Sequence, residues 1–593
     1  MWPPGGKTVA KGVYFPVVKD QKTEGSAMMK FQDMPYTRPD FEQEILHLNR
    51  LVDELAAAGD EAAFFEALMA IEKKSRTLMT LGTLCQIRHS IDTRDKFYAA
   101  EQEVWDEMGP RFQQVGQRQV LAILASPFKD SLIQRYGAHL IEKAELSLKT
   151  FKPEILEDLV EENKLISQYE KLLASAEIEF DGKTLNLSGL GPYMESTDRD
   201  MRRRAAQAYW GWLAARQAEL DGLYDKLVAL RHGIGRKLGH ETFIPVAYAR
   251  MGRTDWTPED ARVYRRQIAD SVVPLAQKLY REQAQRIGID QMKVYDVSLE
   301  FLTGNPKPQG GEDYLVEQAG AMYRELSPET DEFFRVMVGQ GLMDLTTRPG
   351  KAGGGYMTFL PDYKVPFIFS NFNGTSGDVD VLTHEAGHAF QGYLQRDVEL
   401  MQIAEYTSEV AEIHSMSMEF FTHPWMEGFF GPDTEKYYYA HVASAIKFLP
   451  YGASVDEFQE WVYEYPEATP QQRRARYREI ERKYQPHLDY EGFEYLENGG
   501  RWQRQSHIYV GPFYYLDYTL AQVVALQYFT WMMEDRQAAW QSYLTLCRES
   551  GRTPFKQLVP KSGMKSPFEE GAIAGIIPAL ESYLDGLDKS RIK

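Results

Sequence analysis

The stretch VLTHEAGHAF, residues 381–390, places His384, Glu385 and His388 in one run that contains no proline. On an α-helix, residues four apart differ by about 40° around the axis and ~6 Å along it. Both imidazoles can therefore reach one metal ion. With 12 histidines and 86 acidic residues in 593, all treated as if glutamate, composition alone yields roughly 0.035 chance HExxH patterns per chain. The bland alternative is a helix that happens to carry two histidines. A zinc site with two protein ligands is also incomplete, so a third must come from a neighbouring element.

The segment MQIAEYTSEVAEIHSMSMEFF, residues 401–421, lacks glycine and proline and reads as a helix. Glu405, Glu409, Glu412 and Glu419 recur on one of its faces. Such a stripe is ordinarily solvated, but Val410, Ile413, Met416, Met418 and Phe420 call for burial of much of this helix. Buried carboxylates need cations or donors. Glu412 is the favoured third ligand and Glu409 the second choice, with Glu419 or Asp380 as hydrogen-bonding partners behind the ligands.

Other elements must position these residues. Thr375 followed by Asp378 can cap the start of the motif helix, GDVDVLTHEAGHAFQGYL. Ahead of it, the glycine cluster Gly353 to Gly355 reads as a turn, and Pro366 to Phe372 reads as a strand whose leading proline favours a sheet edge. An open edge can accept an extended peptide through backbone hydrogen bonds. From Phe41 onward apolar residues recur at three- and four-residue spacing, predicting packed amphipathic helices. The run EIEFDGKTLNLS interrupts them, and its Asp181-Gly182 pair predicts a β-hairpin. Residues 1–28 read as a leader or extension, 29–205 as an N-terminal helical lobe, and 206–593 as a catalytic helical lobe. Gly387, inside the motif helix, predicts close packing there, because glycine costs about 1 kcal/mol relative to alanine in a helix.

The bulk numbers limit the partners. A net charge of −19 disfavours nucleic acid. No stretch approaches the ~18 apolar residues of a membrane span. Two distant cysteines, Cys85 and Cys547, indicate neither a disulfide framework nor a thiolate metal site, which fits the cytoplasm.

Several stretches carry a resemblance to a known family: MPYTRPDFE near residue 34, FSNFNGTSGDVDVLTHEAGHAFQGY, SEVAEIHSMSMEFF, HIYVGPFYYLDYTLAQ and SGMKSPFEEGAIAGI. Nearly the whole chain after residue 28 resembles the thimet oligopeptidase-like zinc metallopeptidases, in their oligoendopeptidase F branch. The resemblance implies a mostly α, two-lobed fold with a deep substrate channel and a small β element beside the active-site helix. It implies one Zn²⁺ per chain held by His384, His388 and Glu412, and short unstructured peptides as substrates. It also implies a histidine and tyrosines facing the metal. His507, Tyr515 and Tyr518 fit that outline, while Tyr509 and Tyr514 compete for the same assignment.

The chemistry expected from such a site is peptide hydrolysis. Zinc keeps a position open for water and lowers its pKa to roughly 7. Glu385 accepts the proton as general base. His507 with Tyr515 or Tyr518 donates hydrogen bonds to the oxyanion. A non-catalytic peptide-binding protein has no need of Glu385. A metallocarboxypeptidase needs a cationic clamp for a free terminus, for which Arg501, Arg504 and Lys447 are available. Cleavage preference and oligomeric state are not legible at this level.

Overall fold

A computed structural model describes residues 29–593, most of them helical; the expected leader over 1–28 lies outside the described residues. Helices begin where the sequence supplies caps. Asp40, Asp60 and Asp95 each accept a backbone N–H from the first turn of the helices Phe41–Ala56, Glu61–Ile91 and Lys96–Ala125. In the first of these Phe41, Ile45, Leu48, Val52 and Leu55 turn inward at helical spacing. With Lys129–Tyr136 these helices enclose a core of their own, which Leu400 and Ile403 enter from far along the chain. A second, larger core runs through the rest of the molecule. No helix among the described residues is long and apolar enough to cross a membrane.

The hairpin forms as predicted: β1 (Ile178–Phe180) pairs antiparallel with β2 (Lys183–Leu185). Asp181 and Gly182 both take positive φ, 51° and 74°, as the tight turn requires. The division expected at residue 205 falls within the helix Arg199–Ala215, where Ala205 is fully buried.

A three-stranded sheet lies against the motif helix. Its order is β3 (Met343–Thr346), β5 (Val365–Phe372), β4 (Tyr356–Leu360), with β3 parallel and β4 antiparallel to β5. The strand expected at an edge, Pro366 to Phe372, is therefore the central one. Its proline is tolerated because Pro366 pairs only with Phe359 of β4, while β3 joins from Ile368 onward. The open edge beside the motif helix belongs to β4.

Two helical expectations also change. The motif helix spans Gly377–Leu394 with Ser376 at its N-cap and no side-chain cap. Asp378 instead accepts the backbone N–H groups of Asn373 (2.9 Å) and Gly374 (2.7 Å), fixing the loop from β5. The helix expected from 401 begins only at Ser408 and runs to Phe421, after a short turn at Met401–Ile403. The carbonyls of Gln402 and Glu405, which helix formation would claim, accept instead from the Lys143 ammonium at 2.5 and 2.6 Å.

The Ser408–Phe421 helix, called the glutamate helix below, presses against the motif helix at Gly387. A Cβ there would lie 2.6 Å from the His414 carbonyl oxygen and 2.7 Å from Ser415 Cα, so only glycine permits this approach. On its other side it packs on the largely apolar helix Tyr515–Glu534.

Candidate metal centre and active site

The close approach at Gly387 brings three donors together. His384 Nε2 lies 3.2 Å and His388 Nε2 3.6 Å from Glu412 Oε2, and one donor atom from each residue falls within 4.8 Å of the others. A tetrahedral ion with ligands about 2.0–2.1 Å away needs donors roughly 3.4 Å apart. The three residues therefore fit zinc. Glu412 is buried, and Ser415 Oγ donates to its Oε2 at 3.0 Å. Glu409, the second choice, is turned elsewhere and accepts from Trp256 Nε1 at 3.0 Å.

Of the two partners expected behind the ligands, Glu419 takes that place, its Oε1 lying 2.6 Å from His384 Nδ1. Asp380 instead accepts from the Tyr437 hydroxyl at 2.7 Å. Burial disfavours charge on His384, but Glu412 and Glu419 outweigh it and hold the imidazole well above its usual pKa. Burial, reinforced by the charge of His384 and only partly offset by Glu412 and Glu419, brings His388 down to about 4. Glu385, buried beside these groups, has no hydrogen bond or ion pair among the described residues, and burial pushes its carboxyl up to about 7. Gly355, immediately ahead of β4, lies beside this carboxylate: a Cβ there would stand in ordinary contact with it, 3.7 Å from Glu385 Oε1. A cleft here is lined by Gly354, Gly355, Ser370, Asn371, His384 and Glu385.

The facing wall is aromatic. His507 Nδ1 accepts from Gln505 Nε2 at 2.7 Å, while Gln505 Oε1 accepts from the Tyr451 hydroxyl at 2.7 Å. This places the His507 proton on Nε2, and burial keeps the ring neutral by lowering its pKa. Around it stand Tyr514, Tyr515 and Tyr518, with ring centroids 5.4, 5.1 and 5.7 Å away. The Tyr518 hydroxyl donates to that of Tyr514 at 3.0 Å, and the charge of Glu412 acts on both. Tyr515 turns toward Tyr451 and Arg504. Tyr509 is core, stacked on Tyr169 at 3.9 Å.

Buried residues that sequence reasoning passed over set this wall. Arg253 donates to the Phe513 carbonyl at 2.7 Å and to Asp517 at 2.6 Å, and Gln459 accepts the Phe513 N–H at 3.0 Å. Together they hold Phe513 at a φ of 69° and fix where the tyrosine helix begins. Their positions in the sequence carry no local signal. The cations considered for a terminal clamp divide: Lys447 pairs with Glu300, and Arg501 pairs with Glu481 at 3.1 Å. Arg504 lies over the rings of Trp210 and Tyr451, with no ion pair among the described residues.

A model of peptidase family M3 matches residues 192–575, and one of the peptidase M3 N-terminal domain matches residues 31–151. The first spans more than half of the chain, so this protein belongs to peptidase family M3. Family and fold together define a metalloendopeptidase. Within the family it belongs to the oligoendopeptidase F branch. One solved structure described as an oligoendopeptidase F is 50% identical, with a TM-score of 0.89, covering 94% of this chain and 99% of that one. A structure of PZ peptidase A with an inhibitor is 47% identical, with a TM-score of 0.89 and coverage of 94% and 100%. Another, described as an oligoendopeptidase F from Bacillus anthracis str. Ames, is 45% identical, with a TM-score of 0.86 and coverage of 95% and 100%. Among curated proteins none matches.

Proposed function

We propose that this metalloendopeptidase is a zinc-dependent cytoplasmic oligoendopeptidase that hydrolyses internal bonds of short unstructured peptides admitted to a channel, with one zinc per chain held by His384, His388 and Glu412. The observation that carries the reading is Glu385, buried beside three convergent metal donors and bonded to none of the described residues. A structural metal site has no use for such a carboxylate. All of these residues lie in the 206–593 segment, which supports assigning catalysis to that lobe.

When bound, zinc acidifies a coordinated water to a pKa near 7 and polarises the scissile carbonyl. Glu385, its own carboxyl raised to about 7, is matched to take a proton from the attacking water and return it to the leaving amine. His507 offers its Nε2 proton to the oxyanion; Tyr514 is a further donor, and Tyr518 joins it by turning its hydroxyl proton from Tyr514 to the oxyanion. Tyr515 supports the wall by packing on His507. The substrate backbone adds to the open edge of β4, which delivers a peptide bond past Gly355 to Glu385.

Mass spectrometry of unstructured peptides of varied length, incubated with the protein with and without a chelator, tests this reading. Internal cuts that chelator abolishes and zinc restores are expected. Stepwise loss of C-terminal residues would replace it with a carboxypeptidase using Arg504, and the absence of chelator-sensitive cleavage would end it.

A further inference from the structure

We propose that His441, backed by His423, is a positioning residue of the metal centre: it holds Glu419, and through Glu419 the ring of His384, in the orientation that turns Nε2 to the metal. The inference rests on the metal reading above. Four groups, His423 buried and the other three half-buried, form an unbroken chain. His384 Nδ1 meets Glu419 Oε1 at 2.6 Å, Glu419 Oε2 meets His441 Nε2 at 2.7 Å, and His441 Nδ1 meets His423 Nε2 at 2.8 Å. The chain joins three separate elements: the motif helix, the glutamate helix with the turn His423–Trp425 after it, and the helix Thr434–Glu464.

The protons in this chain follow from its far end. His423 Nδ1 is buried and has no hydrogen-bond partner. An unpaired buried N–H is a rarer and costlier orphan than an unpaired lone pair, so His423 carries its proton on Nε2 and donates it to His441 Nδ1. His441 then donates from Nε2 to Glu419, and His384 donates from Nδ1 to the other oxygen of the same carboxylate. Once the proton between His384 Nε2 and Glu412 is displaced, the Nε2 lone pair faces Glu412 and His388, as metal binding requires. Both oxygens of Glu419 are thus occupied.

The rings are packed in place as well. Tyr437, one turn before His441, stacks nearly parallel to it at 5.5 Å and donates to Asp380, one turn before His384. Phe420 lies against both imidazoles, 4.8 Å from His441 and 5.3 Å from His423. The Tyr438 hydroxyl donates to the His423 carbonyl at 2.8 Å.

The test is zinc affinity, read by competition with a chelating dye, in the full-length wild type, His441→Phe and His441→Gln. The phenylalanine keeps a ring for the stack but removes the donor, and affinity should fall about 10–100-fold. The glutamine places an amide N–H near the position of Nε2 and should recover most of the loss. At saturating zinc, KM for a peptide should be unchanged. Unaltered zinc affinity in His441→Phe, or an equal loss in both variants, would overturn the proposal. If His441→Phe does not fold, His423→Phe, which removes only the donor to His441 Nδ1, must still weaken zinc binding severalfold, and unchanged affinity there is equally fatal. Should the wild type itself bind no zinc, the metal reading fails first and this inference with it. Zinc binding that is insensitive to position 441 sinks this inference alone.

Discussion

On the metal side of the site, His384 and Glu412 are each held by a hydrogen bond from the protein, and the two helices that carry them touch at a glycine. On the aromatic side, the Tyr518 and Tyr514 hydroxyls bond to each other, and the wall is positioned through its backbone by Arg253 and Gln459. The first wall is arranged to hold its donors still before anything arrives. The second keeps donor capacity in reserve for a group that exists only during the reaction. Substitutions on the first should therefore act through metal binding, and on the second through turnover.

The largest effects should come from the ligands. His388→Ala removes one of three donors, so zinc content and peptide cleavage should both fall to background, as metal analysis and rate measurement would show. Glu385→Gln belongs to the metal side by position and to chemistry by role. It should keep zinc while kcat falls about 10²–10⁴-fold. Loss of zinc along with activity would place Glu385 in the holding wall and break the division drawn here.

Tyr518→Phe should lower kcat by about 10²-fold with little change in KM or zinc affinity, whereas Tyr515→Phe, whose ring turns toward Tyr451, should cost far less. Equal losses would mean that the aromatic wall works as a packed unit. Gly387→Ala tests the other wall without touching a ligand. Its Cβ would meet the His414 carbonyl, so the helices must part, at about 1–3 kcal/mol of stability by denaturant unfolding and with weaker zinc binding. Unchanged stability would mean that the contact at Gly387 does not set the spacing of the donors.

The two walls also differ in how far they could be read from residues alone. His384, Glu385 and His388 are legible because the geometry relating them is that of a single helix. On the glutamate helix, burial marks Glu409 and Glu412 alike as carboxylates that need a cation or donor, and the choice between them comes from the family resemblance and not from the pattern. The aromatic wall is set by contacts between distant segments, such as Arg253 with Phe513, so spacing could not choose among Tyr509, Tyr514, Tyr515 and Tyr518. Pro366 misled for a related reason: the rule that puts proline at an edge concerns each pairing position, and β5 is an edge only where β3 has not yet joined it. The early start expected for the glutamate helix ignored Lys143, an ammonium from the N-terminal helices that competes for the carbonyls at 402 and 405.

The contrast between a bonded and an unbonded half-buried group recurs away from the site, and there it predicts a smaller effect. His384 is half-buried between two carboxylates, whereas the half-buried His487 is stacked on Tyr280 at 3.6 Å and its Nε2 has no partner among the described residues. Burial, reinforced by Arg501 and Lys447, lowers the His487 pKa to about 3. In the unfolded chain a histidine titrates near 6.5. Between those values the unfolded chain binds a proton that the folded protein refuses, so stability declines as pH falls from about 6.5 toward 3. Since the ring is partly exposed, the loss at pH 5 should be on the order of 1 kcal/mol. His487→Phe keeps the stack on Tyr280 and removes the titration. Denaturant unfolding at pH 7 and pH 5 should show a smaller acid loss in the variant, by about that amount, while metal release at low pH contributes equally to both proteins. An identical acid loss in the two would show that His487 gains a partner or water on protonation, and that its bonding differs less from that of His384 than the structure indicates.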